Sequence, residues 1–194
     1  ETHSAHRAQC IELYERYRDN ENTGFACYCD MLQKIVTLEQ GSRFSTVPKN
    51  NEKDRPINVE CVLNSLTQAA ISEGIESVLK NRFSLDLSNT QNVHRQLIAD
   101  SKWSTIDLSN ASDSMSVSFL EWLLPRWFYD LLDQSRAFMI LGLDGNYYVT
   151  KKMCCMGNGW CFSLMTLVLL ALVRALDNEG SVYGDDIIIS NAKA

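Results

Sequence analysis

The stretch Tyr183-Gly184-Asp185-Asp186-Ile187-Ile188-Ile189 decides how the rest of this chain is read. Adjacent carboxylates repel each other and are poor strand formers, yet here they abut an apolar run of strand character. The glycine before them predicts a tight turn between two strands, which pushes both acids out at the sheet edge. A divalent cation is the obvious use for such a pair. Taken alone, however, Gly-Asp-Asp is better explained as an acidic turn capping a buried strand. The metal reading needs a third acid, phosphate-binding cations and a glycine-rich loop elsewhere in the chain.

Working outward, Trp160 to Val173 is apolar apart from Ser163 and Thr166 and is closed by Arg174. It is shorter than the ~20 residues of a membrane span and reads as a buried core helix. Met156-Gly157-Asn158-Gly159 is a loop leading into it. Asp144-Gly145 signals a turn before the strand-like Tyr147-Tyr148-Val149. Trp103 to Leu108 reads as a strand, followed by polar Ser109-Asn110-Ala111-Ser112-Asp113-Ser114. A helix then runs to Leu124, Pro125 interrupts it, and Arg126 to Ile140 resumes helically. Both acidic sites thus fall at strand ends in an α+β pattern.

The first half is more helical. Residues from about His6 to Arg18 and from Cys27 to Leu38 read as helices, separated by polar Asn20-Glu21-Asn22-Thr23-Gly24. Gly41 to Pro56 is polar and charged, with no helical period. Val62, Leu63, Leu66, Ala70, Ile75, Val78 and Leu79 recur at helical spacing and predict a long amphipathic helix. A shorter helix covers Gln91 to Ala99, with Asn89 or Thr90 as its cap.

Composition sets wide bounds. The 194 residues suffice for one sizeable core, and a 45% hydrophobic content fits a globular protein. A net charge of −6 argues against a uniformly basic nucleic-acid coat but not against acids at a metal with cations lining a channel. Seven cysteines lack paired zinc-site spacing: Cys27-x-Cys29 and Cys154-Cys155 are not C-x-x-C. Free, mostly buried thiols in a reducing cytoplasm are expected, with Cys61 and Cys161 in apolar helical patterns. His3, His6 and Cys10 read as a solvated helix face. No signal peptide is visible. The chain opens at Glu1 and stops at Ala194 just after an apolar strand, so it reads as a fragment of a longer protein.

Phosphoryl transfer with two Mg²⁺ ions needs carboxylates that hold the metals ~3.5–4 Å apart. Asp107 closes the strand Ser104-Thr105-Ile106, while Asp185 and Asp186 sit at the hairpin. Capping the following helix is the alternative for Asp107, but Ser109, Ser112 and Asp113 suit that task better. A triphosphate also needs cations. If Val47 to Pro56 is extended, Lys49, Lys53 and Arg55 share a face while Glu52 and Asp54 point away. Arg55 then suits bidentate phosphate contact and Lys49 a point-charge contact. Alone, this segment reads better as a solvated mixed-charge loop. Gly157-Asn158-Gly159 before a helix lets backbone approach a ribose or phosphate closely, although on motif length alone an ordinary turn explains it better.

The order of these segments resembles the RNA-dependent RNA polymerases of positive-strand RNA bacteriophages, the levivirus replicase catalytic subunits. Val47-Pro48-Lys49-Asn50-Asn51 with Asp54-Arg55 is similar to their basic fingers motif F. Thr105 to Ser114 is similar to motif A, Met156 to Gly159 to motif B, and Tyr183 to Ile188 to motif C. The likeness spans Phe44 to Ser190. It implies a right-hand polymerase fold, with part of the fingers in 1–102, the palm core and its antiparallel sheet in 103–194, and the thumb beyond Ala194.

By this resemblance Asp107, Asp185 and Asp186 are the catalytic ligands of Mg²⁺, for which Mn²⁺ can substitute. Lys49 and Arg55 contact the triphosphate, and Gly157 and Gly159 flank Asn158 in the nucleotide site. Asp113 and Asn158 read the ribose 2′-hydroxyl. Five residues separate Asp107 from Asp113 where many polymerases have four, so Ser112 is an alternative. Ser163, Leu164 and Met165 stand where relatives often carry acids, so no side chain after Asn158 is carried over. RNA template and product, ribonucleoside triphosphates and host translation elongation factors are the implied partners, in the cytoplasm of an infected bacterium without a membrane. The fragment alone is expected to be inactive.

Two rival readings make distinct predictions. A reverse transcriptase shares the palm and an aromatic-x-Asp-Asp hairpin but places a bulky aromatic after motif A, where this chain has Ser109 to Asp113. A non-catalytic RNA-binding module would keep its function after Asp185→Asn.

Overall fold

A computed structural model of the chain describes residues 39–49 and 54–192, and the two helices expected before residue 39 lie outside them. The polar stretch after Gly41 is a β-hairpin. Strand β1 (Ser42–Pro48) pairs antiparallel with β2 (Asp54–Val59) from Arg43↔Val59 to Pro48↔Asp54. The segment carries no helical period because its two strands pair with each other.

Two further strands extend this sheet: β4 (Met139–Leu141), parallel to β1, and β5 (Tyr147–Val149), antiparallel to β4. The sheet order is β2-β1-β4-β5, so it draws strands from both sides of residue 102. Ser42 anchors the parallel contact by donating its hydroxyl to the Met139 carbonyl at 3.2 Å.

The second sheet is wholly antiparallel, in the order β3-β7-β6. It comprises β3 (Trp103–Asp107), β6 (Ser181–Tyr183) and β7 (Asp186–Ser190), with β7 central. Six helices complete the described residues: α1 (Val62–Phe83), α2 (Leu87–Leu97), α3 (Ala111–Ser114), α4 (Val117–Leu123), α5 (Arg126–Gln134) and α6 (Cys161–Leu176). The architecture is mixed α and β, as expected.

Helix α6 is the core element. Leu164, Val168, Leu170 and Val173 are buried in one cluster with Val182, Ile187 and Ile189 of the second sheet, Ile75 and Leu79 of α1, and Leu120 and Leu132 of α4 and α5. The two polar residues that interrupt its apolar run are fully buried and bonded. Ser163 donates to the Trp160 carbonyl at 3.1 Å and lies 2.9 Å from the Ser72 hydroxyl. Thr166 donates to the Phe162 carbonyl at 2.8 Å and accepts the Gly184 N–H at 2.9 Å. A buried hydroxyl is tolerated because each such bond satisfies a group that desolvation would otherwise penalise.

Three expectations need correction. The helix expected over Arg126 to Ile140 ends at Gln134, and Met139-Ile140-Leu141 is a strand. An apolar run of three carries no period of its own, and the open edge of β1 supplies the partner that decides it. Helix α2 starts earlier than expected, with Asp86 as its cap: the carboxylate accepts the Ser88 N–H at 3.1 Å.

The stripe on α1 is buried only in its C-terminal half. Ile75 and Leu79 are inside, whereas Val62, Leu63 and Leu66 are 75%, 66% and 63% exposed. In their place Gln68 is fully buried. The four described cysteines, Cys61, Cys154, Cys155 and Cys161, are free, and Cys154 and Cys161 are buried.

Thr166→Val preserves the shape of the α6 core and removes the acceptor of the Gly184 N–H. Leaving a buried amide unpaired costs about 1–3 kcal/mol. Urea unfolding should therefore show a lower midpoint with an unchanged slope.

Candidate metal and nucleotide site

The acid-bearing turn has two central residues. Tyr183 pairs with Asp186, so Gly184 and Asp185 form the loop between β6 and β7. Gly184 has φ +65° and Asp185 is not in the left-handed region. A positive φ at the first loop position only is the signature of a type II′ hairpin turn, and it favours glycine there. A side chain at Gly184 would also collide with the Phe162 ring of α6. Together with the Thr166 hydroxyl, that ring seats the hairpin on α6. Phe162 and Tyr183 meet edge to face, with ring centroids 4.8 Å apart.

The register then brings the third acid in. Asp107 is the direct partner of Asp186 across β3 and β7, the last pair of a ladder that begins at Trp103↔Ser190. Directly opposite residues share a face, and their Cβ atoms in such ladders are about 4.5–5.5 Å apart. All three acids, Asp107, Asp185 and Asp186, are exposed. Two like charges facing across a ladder are destabilising, and a cation between them relieves the repulsion. The donors are all hard carboxylate oxygens, which suit Mg²⁺ or Mn²⁺. Among the described residues no group of three or more His, Cys, Asp or Glu side chains is gathered closely enough to hold a metal ion. Mg²⁺ sites of the phosphate-transfer type use one or two carboxylates and fill the other positions with water and phosphate, so the arrangement fits them.

On the same face lies a cleft of about 370 Å³ between α2 and the second sheet, lined by Asp107, Asp186, Thr105, Gln91, His94 and Arg95. His94 is buried, with Nε2 2.9 Å from the Ser181 hydroxyl and its ring edge-on to Tyr183. Burial pulls its pKa below 6.5, against the opposing charge of Asp186. His94, on a polar helix with no companion ligand, carried no signal in the sequence.

The glycine-flanked loop is tied to its own protein. Gly157 has φ +107°, and a Cβ there would overlap the Asn58 carbonyl of β2. Asn58 donates its N–H to the Met156 carbonyl at 2.6 Å. Gln68 of α1 accepts the Gly159 N–H at 2.8 Å and donates Nε2 to the Ser135 carbonyl at 2.9 Å, which explains its burial. The close approach that these glycines permit is therefore made to β2 and α1. Asn158 between them is 6% exposed, and its buried Oδ1 has no hydrogen-bond partner. An acceptor buried without a partner is costly.

Lys49 and Arg55 are exposed at the loop end of the β1–β2 hairpin, where Arg55 pairs with Val47 two residues before Lys49. Lys53, expected on the same face, lies outside the described residues. These cations stand on a different sheet from the acids, and the Asn58–Met156 bond links their strand to the glycine loop. Asp113 lies in α3 but does not cap it. The N-cap position is Asn110, in the left-handed region at φ 59°, and no side chain caps the helix. Neither Ser109 nor Ser112 takes that role. The Asp113 carboxylate instead pairs with Lys152 at 2.7 Å, beside a cavity of about 350 Å³.

A family model described as RNA replicase, beta-chain, matches residues 7–194. The RNA-directed RNA polymerase subunit beta of Enterobacteria phage SP is 38% identical over 175 residues, covering 83% of this chain and 30% of that protein. The subunit beta of Escherichia virus Qbeta is 34% identical, over 80% of this chain and 28% of that protein. The RNA-directed RNA polymerase beta chain of Escherichia phage MS2 is 35% identical, over 78% and 29%. The chain thus spans under a third of the length of these relatives.

Two outcomes follow from the acid face. Asp186→Asn removes the facing charge and should stabilise the metal-free protein by less than about 1 kcal/mol, a gain that shrinks as salt rises in denaturant titrations. His94 is depressed by burial, so its contribution to stability is present above pH 6.5 and lost as pH falls through its folded value. Stability should decline as pH falls from about 6.5 to that folded value, and His94→Gln should flatten that part of the profile.

Proposed function

Because the chain belongs to the RNA replicase beta-chain family, we propose that it carries the catalytic core of template-directed RNA synthesis from ribonucleoside triphosphates, copying a viral RNA genome. The observation that carries this reading is the pairing of Asp107 with Asp186 at the exposed end of β3 and β7, with Asp185 in the adjoining turn. In this reading the second sheet and α6 form the palm of a right-hand polymerase, and the β1–β2 hairpin is part of the fingers.

Asp107, Asp185 and Asp186 hold Mg²⁺, or Mn²⁺ in its place. When bound, the metal lowers the pKa of an attacking hydroxyl and neutralises charge on the pyrophosphate leaving group. Lys49 and Arg55 bind the triphosphate, Arg55 through paired N–H donors and Lys49 as a point charge. Asp113 and Asn158 accept or donate at the ribose 2′-hydroxyl, and Gly157 and Gly159 keep Asn158 in its buried position. RNA template and product are the macromolecular partners, and the relatives' names as subunits imply further subunits in the assembled enzyme. Host translation elongation factors are the candidates for those subunits. The place of action is the cytoplasm of an infected bacterium. Among the described residues no helix is long and apolar enough to cross a membrane.

The test is Mg²⁺-dependent extension on an RNA template by a full-length subunit carrying this segment. Asp107→Asn and Asp185→Asn should each lower nucleotide addition by several orders of magnitude, roughly 10³-fold or more, with RNA binding little changed. Extension at the unsubstituted rate in either variant would overturn the reading.

A further inference from the structure

The ion pair between Lys152 and Asp113 spans 39 residues of sequence and is built into the backbone. The segment around Lys152 is zipped to the segment that follows α3. The Val117 N–H donates to the Lys151 carbonyl and the Met153 N–H to the Met115 carbonyl, each at 2.9 Å, and Ser116 and Lys152 form an antiparallel bridge between them. The Lys152 N–H is also held by the Thr150 hydroxyl at 3.2 Å. On the other side, the Asp113 N–H donates to the Asn110 carbonyl at 3.0 Å. The backbone on both sides of the ion pair is therefore held in place.

Stability does not explain this investment in geometry. The two side chains are 47% and 50% exposed, and pairs so open to water add little to stability. Position explains it better. With Lys151, Asp113 and Lys152 form the charged wall of the 350 Å³ cavity whose other walls include Phe44, Ile57, Val149 and Met156. An apolar chamber with one fixed carboxylate suits a flat, weakly polar group carrying a hydroxyl donor, which describes a nucleoside. Lys152 engages Oδ1 of the carboxylate, which leaves Oδ2 as an acceptor. A carboxylate accepts and never donates when ionised, so it rewards a sugar that brings a hydroxyl and is left unpaired by one that lacks it.

We infer that Lys152 is a positioning residue for sugar selection, holding the Asp113 carboxylate at the cavity wall where it meets the ribose 2′-hydroxyl. The inference rests on the replicase reading above. It assigns no chemistry to Lys152 itself, which acts through Asp113.

The experiment measures kcat/KM for single additions of a ribonucleotide and the matching deoxyribonucleotide by the full-length subunit carrying this segment. Lys152→Met should lower ribonucleotide kcat/KM about tenfold with the deoxyribonucleotide value little changed, so discrimination falls about tenfold. Lys152→Arg should restore most of it, and Lys152→Met should add nothing in an Asp113→Ala background. Unchanged discrimination in a Lys152→Met protein that still extends RNA overturns the inference and leaves the replicase reading standing. An equal fall for both nucleotides without rescue by arginine assigns Lys152 a purely structural role and overturns it too. Failure of the unsubstituted protein to extend RNA overturns the replicase reading and the inference with it.

Discussion

The register of β3 against β7 is the constraint on which the site depends. A slip of one residue would turn every side chain of a strand to the opposite face and separate Asp107 from Asp186. Alternation along the strand cannot set that register here. Ile187 and Ile189 join the cluster around α6 while Ile188 is buried on the other face beside His94, so the run is apolar on both sides. The turn sets it instead. Gly184 permits a two-residue loop, the Thr166 hydroxyl binds its N–H, and the Phe162 ring occupies the space that any side chain there would need.

Buried polar side chains carry much of the remaining organisation. Gln68 bonds the glycine loop to α1 and to the end of α5, using both ends of its amide. Glu60, 8% exposed, accepts the Ala137 N–H and the side-chain amides of Asn58 and Asn64, tying the end of β2 to the strand that joins its sheet. Trp160 is fully buried and donates its indole N–H to Ser135 at 2.9 Å. Each of these groups replaces a water it lost with a backbone or hydroxyl partner, so removing any one strands its partner in the interior. The two sheets are thereby coupled through the segment that leads into α6, which also seats the acidic hairpin.

Much of the fold was legible because local chemistry and tertiary demand agreed. The core helix, the strand ending at Asp107, the Asp144-Gly145 turn and the hairpin at Gly184 all follow from local signals that the packing reinforces. The start of α2 was misread over a local cap at Asp86, but the other misread elements are those where a partner distant in sequence decides. Met139 to Leu141 became a strand because β1 offered an edge. The N-terminal half of α1 left Val62, Leu63 and Leu66 exposed because its buried face there is fixed by what Gln68 must bond. His94 and Lys152 carried no local signal at all, since a single histidine or lysine acquires meaning only from what faces it.

The sequence by itself determined the inventory and order of the chemistry: two separate acidic strand ends, a glycine-flanked asparagine before an apolar helix, and a basic segment upstream. Composition and short spacings carry that information because turns, caps and apolar periods act over a few residues. Only the tertiary structure decided which of these groups meet. It set Asp107 opposite Asp186, turned the glycines of the loop toward Asn58 and Gln68, and gave Asp113 a lysine partner 39 residues away. Pairings of that kind are settled by strand register and by the packing of α6, in which residues far apart in the chain compete for the same buried space.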